Sequence, residues 1–171
     1  GFIKDGGAWK AVGRESVANL QQQVTGWLLT DVPGHVQYWF NLRGRLVKKD
    51  NGRIPVHVSW SNGRIDSAYD NLGHTIVFQT DDNGAILSAS SSQQTVTYTY
   101  TTKGELASVT NTVGETMYYS YTSQPGEIAT LGLSKTEPLL QLTYDGDHRV
   151  KTQIDAAGSL WSYNWTEGTA T

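Results

Sequence analysis

Apolar and polar side chains alternate along most of this chain, and short glycine-containing breaks separate the alternating runs. In residues 95–101 valine and tyrosine alternate with threonine, and residues 117–121, 140–144 and 161–165 repeat this alternation. Side chains at alternate positions of a β-strand lie on opposite faces. The pattern therefore predicts one antiparallel sheet with an aromatic face and a Thr/Ser/Gln face. Earlier in the chain the aromatic face is supplied by Val56, Val58, Trp60, Ile76 and Phe78.

A repeat of about 21 residues organises these strands. A turn residue followed two positions later by an aliphatic residue recurs six times, at spacings of 19, 21, 20, 22 and 22 residues. In most repeats a second glycine follows 8 or 10 residues later. Turns this frequent predict strands of about six residues joined as β-hairpins. The six turn residues are Gly44, Gly63, Gly84, Gly104, Gly126 and His148.

Three Asn-Gly dipeptides indicate the type of turn. They are Asn51-Gly52, Asn62-Gly63 and Asn83-Gly84. A type I′ hairpin turn needs positive φ at both central residues, and Asn and Gly tolerate this conformation best. The dipeptides therefore predict type I′ turns at these points. Aspartates at the other turns are expected to accept backbone hydrogen bonds.

Residues 1–40 do not fit the repeat, and we expect them to form an N-terminal cap ahead of a hairpin repeat domain over residues 41–171. Residues 14–24 predict a short helix, with Ser16 as its N-cap and Gly26 as its end. An array of hairpins exposes its end strand, which a cap would cover. A partner-binding element and a disordered leader are the alternatives. The apolar face of the helix would comprise Val17, Leu20 and Val24.

Composition and charge exclude several classes of function. The 171 residues include 13 Lys and Arg against 16 Asp and Glu, which argues against nucleic-acid binding. The absence of cysteine excludes disulfides and thiolate metal sites. No apolar run is long enough for a membrane span, and no leader opens the chain, which starts at Gly1. The four histidines lack ligand spacing, and no nucleophile or phosphate-binding motif is present. We therefore expect no enzyme, no cofactor and no metal.

The aromatic residues are the one feature that suggests binding. Six Trp and nine Tyr are present. Packing in a core is the leading interpretation, because tyrosine suits half-buried strands. An exposed stripe would instead stack on sugar rings or receive a protein partner. The candidate surface residues for this second interpretation are Trp60, Tyr119, Tyr121, Trp161, Tyr163 and Trp165.

A Tyr-Asp pair opens two similar segments, from Tyr69 to His74 and from Tyr144 to Val150, and Gly-Arg followed by an aliphatic residue stands at Gly44-Arg45-Leu46 and Gly63-Arg64-Ile65. These segments resemble the signature Tyr-Asp-x-x-Gly-Arg-Leu of the RHS/YD repeat family. The resemblance covers roughly residues 41–165. It implies tandem β-hairpins of the kind found in bacterial surface and secreted proteins. In large members such hairpins spiral into a hollow shell around a toxic polypeptide.

The chain departs from the large members of that family. Six repeats are too few for a shell, and no Asp-Pro dipeptide of the self-cleaving junction occurs. We therefore expect an all-β protein, a curved sheet or barrel of tandem antiparallel hairpins with a short N-terminal helical cap. The leading hypothesis is a non-enzymatic module, secreted, periplasmic or on the bacterial surface, that binds a glycan or partner protein. The alternative is a scaffold fragment of an RHS-type toxin-delivery shell, which would associate with flanking repeats or with itself.

Overall fold

The computed structural model describes residues 2–5, 8–11, 18–31 and 34–165. This described part contains seventeen β-strands and no helix, so the all-β prediction is confirmed. Since it holds no helix, it also holds none that could span a membrane. The chain separates into two compact units, Gly1–Gln93 and Gln94–Thr171. The proposed boundary after residue 40 and the curved or closed sheet stay predictions.

The first unit is a series of hairpins in which each strand pairs antiparallel with the next strand along the chain. Within the unit, its described strands contact only these chain neighbours. Such nearest-neighbour pairing is typical of a β-meander. The strands are β1 (Phe2–Asp5), β2 (Ala8–Ala11), β3 (Ala18–Gln23), β4 (Gly26–Asp31), β5 (Val36–Asn41), β6 (Leu46–Asp50), β7 (Val56–Ser61), β8 (Arg64–Asp70), β9 (Thr75–Thr80) and β10 (Ile86–Ser90).

The second unit repeats this arrangement. Consecutive strands again pair antiparallel, and none of its described strands contacts any strand of the unit other than its chain neighbours. The strands are β11 (Thr95–Tyr100), β12 (Leu106–Thr110), β13 (Thr116–Tyr121), β14 (Ile128–Gly132), β15 (Leu140–Tyr144), β16 (Val150–Asp155) and β17 (Leu160–Ser162).

The register of the second unit confirms the two predicted faces. Tyr98 lies opposite Val109, which lies opposite Met117, so these side chains share the aromatic face. On the other face, hydroxyl side chains of neighbouring strands bond to each other across the sheet. Their Oγ or Oγ1 atoms are 2.5–2.8 Å apart in the pairs Thr99–Ser108, Thr110–Thr116, Ser120–Thr130 and Thr143–Thr152.

Most hairpin turns share one construction, which Asn111 illustrates. Its Oδ1 atom accepts hydrogen bonds from the backbone N–H of Val113 at 3.1 Å and of Glu115 at 3.0 Å. Gly114 adopts a φ of 87°, a left-handed conformation in which glycine has no steric penalty. In the equivalent turns, the backbone N–H groups two and four residues further on bond to the side chains of Asn41, Asp70, Asp81, Thr101, Asp145 and Asp155. The predicted role of aspartate in turns is therefore confirmed.

Only one of the three Asn-Gly dipeptides forms the predicted type I′ turn. Asn62 and Gly63 both have positive φ, 48° and 86°, and join paired residues on β7 and β8. Asn51 and Asn83 do not have positive φ, so the type I′ prediction is wrong there. At Asn83 the carboxylate of Asp81 organises a longer loop by accepting two backbone N–H groups, which leaves only the glycine in the left-handed conformation.

The predicted N-terminal helix over residues 14–24 is wrong in the part that the structure describes. Ala18–Gln23 form β3, which pairs along its whole length with β4, while Ser16 and Val17 lie outside the described residues. Pairing with a complete partner strand outweighs a weak helical spacing of apolar residues. Gly26 begins β4 rather than ending a helix, and a Cβ there would lie 1.8 Å from the carbonyl oxygen of Phe40.

The apolar side chains of the described residues do not form a buried core. None of them is fully buried, and those on the aromatic face are mostly half-buried against adjacent strands. An isolated two-stranded hairpin is at best marginally stable in water. Each hairpin therefore depends on the hairpins beside it.

Candidate functional site

An aromatic residue at or next to the end of a strand occupies a fixed place in most repeats. Tyr121 lies opposite Ile128 and Tyr144 lies opposite Val150, in each case where the register shifts by a β-bulge. The aliphatic partner is the residue two positions after the turn residue, so the bulge explains the spacing seen in the sequence. The other aromatic pairs of this kind are Phe40–Leu46, Trp60–Ile65 and Tyr100–Leu106.

Four aromatic side chains bond through their polar ends to the preceding repeat. The hydroxyl of Tyr121 donates to the carbonyl oxygen of Leu106, and that of Tyr144 donates to the carbonyl oxygen of Ile128, both at 3.0 Å. Tryptophan makes the same contact through its indole N–H. Trp60 donates to Leu46 at 2.8 Å and Trp165 donates to Val150 at 2.7 Å. We call these four contacts the aromatic ladder.

The environment of the two tyrosines in the ladder disfavours loss of their protons. Burial is the main factor that raises the pKa of Tyr121 and Tyr144 above the ordinary value of 10.0. The nearby carboxylates of Glu105 and Glu127, respectively, add to this effect. Both hydroxyl groups are therefore held as hydrogen-bond donors at neutral pH.

A second set of contacts joins successive turns in the second unit. An Oε1 atom of Glu105 accepts the backbone N–H of Gly126 at 3.2 Å, and Oε1 of Glu127 lies 2.7 Å from Nδ1 of His148. The hydroxyl of Thr122 donates to Glu127 at 2.6 Å. The hydroxyl of Thr122 and then the bond from His148 lower the pKa of Glu127 below its ordinary value.

Two arginines at the equivalent position form ion pairs, Arg64 with an aspartate of the next turn and Arg149 with aspartates of its own turn. Arg64 Nη2 lies 3.1 Å from Oδ1 of Asp82. Arg149 contacts two carboxylates, with Nε 3.0 Å from Asp145 Oδ2 and Nη2 2.7 Å from Asp147 Oδ2. The backbone N–H of Arg149 is the first factor that lowers the pKa of Asp145.

The structure divides the predicted surface residues between two settings. Trp60 lies in the first unit and the other five in the second, and Trp60, Tyr121 and Trp165 belong to the aromatic ladder. Tyr119 is half-buried on the same face as Tyr121. Among these six residues, exposure is greatest near the end of the described chain, where Trp161, Tyr163 and Trp165 are 44%, 40% and 45% exposed. Their role in binding stays a prediction.

The sequence pattern missed a row of large side chains on the polar face of the first unit. Trp39, Lys48, His57 and Tyr69 lie opposite one another on β5, β6, β7 and β8. The ammonium of Lys48 lies 4.3 Å from the ring centroid of Trp39, and the rings of His57 and Tyr69 stack at 5.3 Å. Only the strand register reveals this row, because its members are far apart in sequence.

The first unit also has a shallow cavity of about 640 Å³ beside the turn that follows β8. Asp70 and His74 line it, and Nδ1 of His74 lies 2.8 Å from Oδ2 of Asp70. This bond is the largest factor lowering the pKa of Asp70. The other oxygen of Asp70 holds the turn, so turn geometry accounts for the pair. Among the described residues no group of three or more His, Asp or Glu side chains could hold a metal ion.

Comparison with known proteins gives little more. No protein-family model matches the chain. No curated protein matches it. Among solved structures, its backbone is similar to a chain of the Photorhabdus luminescens Tc holotoxin pore, with 9% sequence identity and a TM-score of 0.35. That similarity covers 95% of this chain and 12% of the toxin chain, and at this TM-score it indicates nothing about function.

Proposed function

We propose that this chain is a non-enzymatic structural scaffold, a segment of RHS-type tandem hairpins whose repeats support one another. The aromatic ladder is the observation that carries this proposal. Trp60, Tyr121, Tyr144 and Trp165 each bond to a carbonyl of the preceding hairpin. Because each of these side chains links its hairpin to the one before it, their arrangement suits mechanical continuity along the array.

The absence of a buried apolar core among the described residues supports the same proposal. In repeat proteins the free energy of folding is approximately a sum of terms within repeats and between neighbours. Here the terms between neighbours include backbone pairing, the aromatic ladder and the turn contacts of Glu105 and Glu127. The resemblance to RHS/YD repeats supports the proposal that such a scaffold is part of a larger secreted or surface protein.

A second candidate function is the binding module, for which the exposure of Trp161, Tyr163 and Trp165 is the specific support. Exposed aromatic rings stack on sugars or enter protein interfaces. This candidate predicts saturable binding in a glycan panel, accompanied by a shift in tryptophan fluorescence. The scaffold predicts neither, and instead predicts association of the chain through its sheet edges at rising concentration.

Deletion of one complete repeat tests the scaffold directly. Removal of residues 105–126 joins Gly104 to Glu127, so that Ile128 takes the position of Leu106 two residues after the turn glycine. We expect this variant to keep a strand-rich circular dichroism spectrum and a cooperative thermal transition at a lower temperature. A scaffold of equivalent repeats tolerates such a deletion, because the hairpins on its two sides then contact each other through surfaces equivalent to those of the deleted repeat.

A shorter deletion provides the control. Removal of residues 106–126 leaves Glu105 in place and shifts the following strand by one residue, which turns its apolar side chains to the opposite face. This variant should lose its cooperative transition. Equal folding of both variants, or failure of both, would contradict the proposal of modular, register-dependent repeats.

A further inference from the structure

A polar notch of about 740 Å³ lies at one edge of the first unit. Its walls come from the turn before β4, the turn after β5 and the Asn62-Gly63 turn after β7. Arg43, Arg45, Trp60 and Asn62 are among its lining residues. None of the described residues that line the notch is acidic.

Two contacts position Arg45 in this notch, one of its backbone and one of its side chain. Its backbone N–H bonds to Oδ1 of Asn41 at 3.1 Å, and its guanidinium carbon lies 5.2 Å from the ring centroid of Trp60. That ring is itself held, because its N–H donates to the carbonyl of Leu46. A Cβ on Gly63 would lie 3.0 Å from Nη2 of Arg45, so glycine leaves the guanidinium its space.

Comparison between repeats shows that Arg45 differs from its counterparts. Arg64 and Arg149, which also follow a turn residue, pair with aspartates, while Glu105 and Glu127 bond to groups of the next turn. Within the described part of the chain, Arg45 pairs with no carboxylate. The same is true of Arg43, whose exposed side chain lines the same notch.

We propose that this notch binds an oxyanion, a carboxylate, sulfate or phosphate group, through Arg43 and Arg45. The planar guanidinium presents a fork of N–H donors that matches two oxygens of such a group. Asn62 adds a side-chain amide at the rim. Stacking on Trp60 reduces the conformational freedom that Arg45 loses on binding. The site lies on the scaffold and goes beyond its proposed role, so either proposal stands if the other fails.

Titration of the whole chain tests this site, with the indole N–H of Trp60 as the reporter in ¹H–¹⁵N spectra. The probes are sodium sulfate, sodium phosphate and an oligogalacturonate, each at constant ionic strength, with a neutral galactose oligomer as the uncharged comparison. The site predicts a saturable shift of the Trp60 resonance with at least one anionic probe and none with the neutral oligomer. Equal affinity for inorganic ions and oligomer identifies a site for free oxyanions, whereas much tighter oligomer binding identifies an acidic glycan as the source.

Three variants separate a built site from diffuse charge. Arg45→Met should weaken binding at least about tenfold, as expected for loss of charged hydrogen bonds. Arg43→Gln alters an exposed side chain, so it should keep the fold while weakening binding about threefold or more. Arg64→Met is the matched control, because Arg64 occupies the equivalent repeat position and pairs with Asp82, and it should bind as the parent chain does. A linear, unsaturated response to all anions, or unchanged affinity in both Arg45→Met and Arg43→Gln, would overturn the proposal.

Discussion

The hydroxyl of Tyr144 donates a 3.0 Å hydrogen bond to the carbonyl of Ile128, 16 residues earlier in the chain. The next residue, Asp145, accepts the backbone N–H groups of Asp147 and Arg149 and so holds the turn. The two adjacent residues of the Tyr-Asp pair therefore have two different structural roles. Tyrosine connects its hairpin to the one before it, and aspartate closes the turn of the same hairpin.

Replacing Tyr144 by Phe should reduce the free energy of unfolding by about 1 kcal/mol, the usual net value of one partly buried hydrogen bond. The ring and its packing remain, so the change isolates the hydroxyl. Tyr119→Phe is the control, because the hydroxyl of Tyr119 has no hydrogen-bond partner among the described residues and the ring lies on the same face. Urea unfolding measures both. If Tyr119→Phe lowers the free energy of unfolding as much as Tyr144→Phe does, the hydrogen bonds of the aromatic ladder do not stabilise the protein.

Replacing Gly104 by Ala should reduce the free energy of unfolding by about 1–2 kcal/mol, because its φ of 82° is unfavourable for residues with a Cβ. A Cβ at Gly104 would meet no atom within 4 Å, so the cost is conformational rather than steric. Gly146 is equally open but has no left-handed φ, and Gly146→Ala should be neutral or slightly stabilising. Thermal melts compare the two variants, and equal effects would refute the assigned conformation.

Replacing Asp155 by Ala should cost about 1–2 kcal/mol, because two backbone N–H groups lose their acceptor. Oδ1 of Asp155 accepts from Ala157 and from Ser159, both at 2.9 Å. Asp155→Asn keeps an oxygen at this position and should remain within about 0.5 kcal/mol of the parent chain. Chemical unfolding distinguishes the variants. If Asn is as damaging as Ala, the negative charge rather than the acceptor geometry holds the turn.

Acid should destabilise the protein below the ordinary pKa of its turn carboxylates. The pKa of Glu127 is lowered from 4.5 by the hydroxyl of Thr122 and by His148. The folded state therefore binds protons less readily than the unfolded state, and this stabilisation is present above 4.5 and is lost as pH falls through the folded-state value. Melting temperatures between neutral pH and about pH 3 should show the decline.

The variant Glu127→Gln should show a smaller acid decline than the parent chain. Glu137→Gln is the control, because the carboxylate of Glu137 makes no hydrogen bond or ion pair with the described residues. An acid decline that Glu127→Gln leaves unchanged would assign the pH dependence to other carboxylates, such as Asp70 and Asp145, whose pKa values are also lowered.

Local patterns predicted the hairpins well and failed where a paired strand or a competing side chain decides the conformation. The alternation in residues 95–101 reports directly which side chains share a face, and the glycine of a turn reports its own φ. The spacing of Leu20 and Val24 also describes a helical face, yet Leu20 lies opposite Leu29 in a strand pair. Asn83 likewise carries a hairpin dipeptide, but the carboxylate of Asp81 sets its loop.

The sequence by itself determined the strand period, the turn positions and the two faces of the sheet, because each depends on residues within one hairpin. Only the tertiary structure decided the register, since a β-bulge shifts the pairing without changing the alternation. That register brings Trp60 to the carbonyl of Leu46 and aligns Trp39 with Lys48. Among the described residues, it also gives Arg45 no acidic partner of the kind that Arg64 has in Asp82. Contacts between repeats depend on how the strands of neighbouring repeats pair, which no single repeat specifies.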